Sequence, residues 1–386
     1  MSLTHLEEVL TRANDVGVKT LQPLAEETDR AARWPAEGLR ALQAAGLGGL
    51  SVPTAHGGLG LGLQGVVRVT ETLGQYCAST AMCFGMHLVG SAVIAARATP
   101  HQTENLLRPI CRGEHLTTLA LSEPGTGSHF YLPQTTVHRE GDAYVLNGAK
   151  SFVTNGGHAD SYVMSVVDAS EAAPPGQFSC VVVPGDAPGL AWQQPWDGIG
   201  MRGNSSRSVA LRGVRIPHTN LLGEEGTQTW YVFNVVAPFF VTAMAGTYLG
   251  VAQAALDEVR VHLKSRVHAH TGQSLSREPL VQHRVAALWT ELEKARRLSY
   301  YAAEQGDLGG PDAMPAILSA KVEATETAVR VTGEALALLG GIGYGRGSRA
   351  DRFHRDARAG PVMAPTSDML RSWHGRWLLG VPLLSG

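Results

Sequence analysis

Three glycines stand in a literal GxGxxG, Gly198-Ile199-Gly200-Met201-Arg202-Gly203. Glycines so spaced let a backbone close on a pyrophosphate when the motif ends a strand and opens a helix. Here Asn204 to Leu211 follows and reads as strand, so the spacing does not predict a dinucleotide fold. No GxxxxGK[ST] and no GxSxG occurs, which removes the P-loop and the usual hydrolase elbow. His268 and His270, with His262 upstream, lack paired helical spacing and nearby acidic ligands. They read as surface or interface histidines, and no metal is expected. Cys77, Cys83, Cys111 and Cys180 are scattered without CxxC spacing, as buried thiols in a reducing compartment would be.

Four other segments carry more. The first is Leu119-Ala120-Leu121-Ser122-Glu123-Pro124-Gly125-Thr126-Gly127-Ser128. The second is Leu146-Asn147-Gly148-Ala149-Lys150-Ser151-Phe152-Val153-Thr154-Asn155-Gly156-Gly157. The third joins Met201 to Ser206 with Val214-Arg215-Ile216-Pro217 and Asn220-Leu221-Leu222-Gly223. The fourth is Leu339-Gly340-Gly341-Ile342-Gly343-Tyr344, followed by Arg355-Asp356-Ala357-Arg358 and Thr366-Ser367. In order and spacing, across almost the whole chain, they resemble the acyl-CoA dehydrogenase family, with its TEPGAGSD and LNGxKxWITNG signatures. The resemblance implies an N-terminal helical domain, a middle β-barrel-like domain and a C-terminal four-helix bundle.

It also implies non-covalent FAD. An isoalloxazine ring needs hydrogen-bond partners at its polar edge and an apolar or aromatic neighbour on a face. By resemblance, Leu121, Ser122 and Thr154 meet the ring, with Phe152 against it where the family often has Trp. Ser128 sits near the cofactor or the thioester end of the substrate. Gly340 and Gly341 allow close approach to the adenosine half, from a neighbouring subunit, and Thr366 with Asp368 lies near that half. Arg266 pairs with the pyrophosphate, although Arg266 to Gly272 is longer than the family's RxxFG. Read without the resemblance, Ser122 and Thr154 cap strands and Phe152 belongs to the core. Implied partners are an acyl thioester, on CoA or an acyl carrier protein, an electron acceptor such as an electron-transfer flavoprotein, and further copies in a homodimer or homotetramer.

The departures touch the chemistry. The family's basic Glu, two residues before the Thr of the last motif, is Ala364 here. A subgroup's alternative Glu position is Phe240, and Val241 replaces an Arg common at that point. The Asp usual after GS is His129, and the Gln before the glycine pair is Ala337. Desaturating an acyl thioester removes an α-proton as hydride leaves the β-carbon, and neither Ala nor Phe accepts a proton. No catalytic residue is therefore assigned. Three readings stand: a dehydrogenase whose base has moved, with His129 one candidate; a flavin monooxygenase or oxidase; and a non-catalytic flavin or acyl-CoA binder.

The elements that must hold these residues follow from periodicity. Up to about residue 115 the chain reads as helix, with Leu39, Leu42 and Leu47 at helical spacing. From 116 to about 225 short runs alternate with turn residues: Tyr144 to Leu146, Tyr162 to Val167, Phe178 to Val183 and Ser208 to Leu211. They predict an antiparallel β-domain, with Pro174-Pro175-Gly176 as a surface loop. From 226 to 386 the helical period returns, through the stripe Val281, Val285, Leu288, Leu292 and a helix from Ala316 to Leu339 stopped by Gly340-Gly341.

Composition agrees with a multidomain globular chain. At 386 residues it exceeds one ordinary core of about 150. Hydrophobic residues are 44% and charged ones 17%, so there is ample material for an interior. Lys plus Arg total 32 against 34 Asp plus Glu, which removes the electrostatic reason to expect nucleic acid. Two uncharged stretches, Gln75 to Ala96 and Thr227 to Leu256, have the length of membrane spans. Polar interruptions and acidic flanks favour buried helices instead. Met1 to Arg12 lacks a signal-peptide pattern, so a soluble cytoplasmic protein without membrane insertion is expected.

Overall fold

A computed structural model describes residues 3–169, 177–226 and 229–383. The loop expected at Pro174-Pro175-Gly176 lies outside the described residues. Five main helices come first: α1 (Leu3–Val16), α2 (Gln22–Arg30), α3 (Ala36–Ala44), α4 (Gly62–Gly74) and α5 (Ala78–Ala96). Among the described residues eight strands follow: β1 (Thr117–Ala120), β2 (Thr136–Glu140), β3 (Ala143–Val153), β4 (Ser161–Asp168), β5 (Ser179–Pro184), β6 (Leu190–Trp192), β7 (Arg207–Pro217) and β8 (Leu221–Leu222). The main helices of the last part are α6 (Ala237–Ser265), α7 (Pro279–Leu308), α8 (Ala313–Leu339), α9 (Arg349–Ala357) and α10 (Ser367–Leu378).

The sheet runs in the order β6-β7-β3-β2-β4-β5-β8, with β1 beside β4. The expectation of a wholly antiparallel domain is corrected here, because β4 pairs in parallel with both β1 and β2. Parallel pairing needs a long connection. Residues 121–160 supply it, and they carry two of the motif segments. The remaining pairings are antiparallel, including the long β3–β7 ladder.

Helix α5 is buried on every side from Ala78 to Ala95, which is where a helix apolar all round must go. Helix α5 and the helical run 232–265 are long and apolar enough to cross a membrane, and 94% of the apolar window of each is buried inside the chain. Where α4 meets α6, glycines let the backbones touch. A Cβ on Gly246 would lie 2.1 Å from Thr70 Oγ1, and one on Gly250 would lie 2.3 Å from Glu71 O. Helix α8 stops at Gly340, whose φ of 62° places it in the left-handed region.

His87 ties α5 to the sheet. The Thr117 N–H donates to its Nδ1 at 3.1 Å, which leaves Nε2 as the donor to Gly48 O at 2.9 Å. Burial pushes this imidazole down to about 4, so it is a neutral joint between layers.

Candidate active site

Between the sheet and the helices lies a cleft of about 670 Å³. One wall comes from the sheet. The chain leaves β1 through Leu121, Ser122 and Glu123 and passes Ser128 to reach Phe130, all at the cleft. At the end of β3 the register against β7 slips between Lys150 and Val153, so that one extra residue bulges out of the ladder. The bulge is Ser151-Phe152. Phe152 takes φ 53° and is 67% exposed, with the Trp196 ring edge-on at 6.4 Å. A bulky residue in the left-handed region is strained, and such strain gathers at working sites. Asn155, Met201 and Ser205 also have positive φ, so four of the five non-glycine instances among the described residues (the other is Ala32) fall in or beside this wall.

Hydroxyls line the same wall. Thr154 Oγ1 and Ser206 Oγ lie 3.2 Å apart, while Thr118 donates to the Thr154 carbonyl at 3.0 Å. Ser151 is 7% exposed, and its Oγ is buried with no partner among the described residues. Behind them Asn155 locks the loop: it accepts from Trp34 Nε1 at 2.9 Å and donates to Cys83 O at 2.9 Å. The Met201 N–H donates to Asp356 Oδ1 at 2.7 Å, and burial raises that carboxyl to about 6.

The opposite wall is helical and apolar: Met86 of α5, Phe240 of α6, Val236 before it, and Val362, Met363, Ala364 and Pro365 between α9 and α10. Ala364 and Phe240, the two positions where a basic Glu was sought, both line the cleft. Glu123 is the one ionisable side chain among the described lining residues. It is not a free base. Its carboxylate accepts from Lys150 Nζ at 2.6 Å, Thr135 Oγ1 at 2.7 Å and Gln134 N at 2.6 Å. Burial alone would raise Glu123, but the Lys150 ammonium and these hydrogen bonds outweigh it and hold the carboxyl below its ordinary value. Lys150 is fully buried and also donates to Ser165 O at 2.6 Å.

Leu121, Ser122, Ser128, Phe152 and Thr154, drawn from two sequence segments, thus meet in one cleft. The other expected residues do not join them. Arg266 is exposed past the C-terminal end of α6, while Phe240 is in its first turn. Twenty-six residues of helix separate the two by about 39 Å, too far for Arg266 to serve the same cleft. Gly340 and Gly341 are exposed at the end of α8, Thr366 caps α10 by accepting from Met369 N at 3.3 Å, and Asp368 is exposed in that helix's first turn. His129 is exposed between two lining residues, edge-on to Tyr131 at 5.8 Å, and is not itself at the cleft. Sequence reasoning gave no role to Lys150, Trp196 or Met86. Lys150 alone had a signal, as a cation inside a motif that otherwise reads as buried strand.

These residues fit an isoalloxazine ring. A polar edge would find Ser122, Thr154 and the unpartnered Ser151, and a face would find Phe152 and Met201.

Comparison with known proteins gives the same frame. Residues 4–114, 118–214 and 240–379 match the family models for the acyl-CoA dehydrogenase N-terminal, middle and C-terminal domains. The chain is 33% identical over 383 residues to cyclohex-1-ene-1-carbonyl-CoA dehydrogenase of Geobacter metallireducens, covering 98% of this chain and 100% of the relative. It superposes on butyryl-CoA dehydrogenase of Megasphaera elsdenii with a TM-score of 0.91 at 28% identity, over 98% of this chain and 99% of the other. A chain solved in work on the electron transferring flavoprotein of Acidaminococcus fermentans gives the same TM-score, 0.91, at 28% identity, over 98% of this chain and 99% of the other. With all three domain models matched in order and a full-length relative at this identity, the chain belongs to the acyl-CoA dehydrogenase family.

Proposed function

We propose that this chain is an FAD-dependent oxidoreductase that desaturates an acyl thioester between its α- and β-carbons, with the proton acceptor away from positions 364 and 240. The observation that carries the reading is the cleft itself, a hydroxyl-lined wall facing an apolar one across about 670 Å³. When bound, the flavin supplies the acceptor for the hydride. Ser122, Ser151 and Thr154 would hold its polar edge, and Phe152 with Trp196 would shield a face. Met86, Val236 and Phe240 exclude water from the acyl group, and the Met363–Pro365 segment bounds the thioester side. The thioester would be carried by CoA or by an acyl carrier protein, and the electrons would leave to a partner such as an electron-transfer flavoprotein.

The remaining expectations belong to the same reading. Arg266, Gly340 and Gly341, exposed and remote from this chain's cleft, complete the adenosine and pyrophosphate half of FAD in a neighbouring copy of a homodimer or homotetramer. The four free cysteines suit the reducing cytoplasm.

The test is reconstitution with FAD and with FMN, then anaerobic mixing with butyryl-, octanoyl- and isovaleryl-CoA while the flavin absorbance is followed. Uptake of FAD and bleaching by a thioester support the proposal, and a protein that stays colourless rules it out. A second reading, an oxidase or monooxygenase, is favoured by the absence of a free base among the described lining residues. Substrate-dependent hydrogen peroxide or an oxygenated product would identify it.

A further inference from the structure

Lys321 of α8 is 0% exposed, yet among the described residues no carboxylate forms an ion pair with it. Glu326, the acidic group that acts on it through space, is paired with Arg371 at 2.7 Å. The Lys321 ammonium instead donates to Met363 O at 3.1 Å and to Pro365 O at 2.9 Å. Those carbonyls stand on either side of Ala364, and all three residues face the cleft. Burying an ammonium without an anion is costly, and burial pushes this one down to about 7. An apolar side chain of the same size would fill the space at no such penalty.

The segment has other anchors at its ends. Met363 N donates to Ala359 O at 3.0 Å, Thr366 caps α10, and Gly360 is wedged where a Cβ would meet Thr325 at 2.8 Å. None of these contacts holds the carbonyls flanking Ala364. We propose that Lys321 is a positioning residue for the reaction, fixing Met363, Ala364 and Pro365 as the rigid thioester-side wall of the cleft. The proposal rests on the dehydrogenase reading for its functional consequence, whereas the wall's rigidity is a property of the chain alone. A wall displaced by about 1 Å costs on the order of 10²-fold in rate when it aligns reacting atoms.

The experiment compares the full-length protein with Lys321→Met and Lys321→Gln. Hydrogen–deuterium exchange over 359–366 is measured without flavin. The dissociation constant of acetyl-CoA, which has no β-carbon to oxidise, is measured with flavin bound, and kcat/KM with the best substrate completes the set. Lys321→Met should raise exchange over 359–366 about tenfold or more and weaken acetyl-CoA, while α5 stays protected. Its kcat/KM should fall about 10²-fold, and Lys321→Gln, which keeps a nitrogen donor, should lie between. Unchanged exchange in that segment overturns the proposal, and so does an equal rise throughout α8 and α10. Failure of both variants to fold overturns it as well, because Lys321 would then serve the fold at large. A parent protein that takes up no flavin and no thioester sinks the dehydrogenase reading instead, and leaves the exchange result to judge the wall.

Discussion

Each wall of the cleft has a fully buried lysine behind it, and the two are satisfied in opposite ways. Lys150, under the sheet wall, has a carboxylate: Glu123 at 2.6 Å, with Ser165 completing its shell. Lys321, under the helical wall, has only backbone carbonyls. The sheet wall is therefore neutral in itself, and its polar surface is made of hydroxyls, of which Ser151 has no partner among the described residues. The helical wall has, beneath an apolar face, a lysine with no paired anion among the described residues, and burial pushes that lysine down to about 7. The contrast is between a buried cation neutralised by a carboxylate and one held only by backbone carbonyls.

The contrast can be tested most strongly at Ala364. Placing a carboxylate there, as Ala364→Glu, gives the helical wall a group able to take an α-proton. General base catalysis contributes about 10²–10⁴-fold, so flavin bleaching by simple saturated acyl-CoAs should rise by a factor in that range. Pro365 restricts how the new carboxylate can be aimed, and bleaching of the parent protein at ordinary enzymatic rates would show that a base already exists elsewhere.

Next comes stability. Lys150→Met strands the Glu123 carboxylate in the interior and should cost about 3–5 kcal/mol in urea unfolding. Lys321→Met strands no charge and should cost far less. Equal losses would erase the distinction between the walls.

A smaller effect separates them by pH. The unfolded chain protonates Lys321 below its ordinary 10.5, the folded chain only below about 7. Between these values the unfolded state binds more protons, so stability should rise with pH, by at most about 1.4 kcal/mol per unit from this group. Lys321→Met should flatten that slope in a series of melts between pH 7 and 10.

Phe152→Gly is the mildest change. It releases left-handed strain of about 1–2 kcal/mol at a largely exposed ring, so the flavin-free fold should hold or gain slightly. Flavin should dissociate more readily. A firm loss of stability instead would mean that the ring packs into the wall and does not wait for a ligand.

The two walls also differ in how far the sequence reveals them. Leu121 to Ser128 and Lys150 to Thr154 are short runs in which consecutive residues do connected work, so a motif exposes them. The helical wall gathers Met86, Phe240 and Ala364 from three distant helical regions, and only folding makes them neighbours. Helix boundaries were legible from period and glycine stops, as at Leu339 and Gly340. The parallel pairings of β4 were not, because a strand's run of Val and Tyr carries no mark of its partner's direction. The bulge at Ser151-Phe152 escaped for a related reason: register belongs to two strands at once.

Helix α5 has a history on the ribosome that its buried state conceals. It packs on α4, which precedes it, on β1, which begins 21 residues after it, and on α6, which begins 141 residues after α5 ends, from 96 to 237. At about 5–20 residues per second, translation takes roughly 7–30 s to deliver that last partner. Throughout this interval a segment apolar enough to pass for a membrane span has one flank uncovered. An uncovered apolar flank of this kind is aggregation-prone, so the fraction of chain that folds should fall when chaperones are depleted.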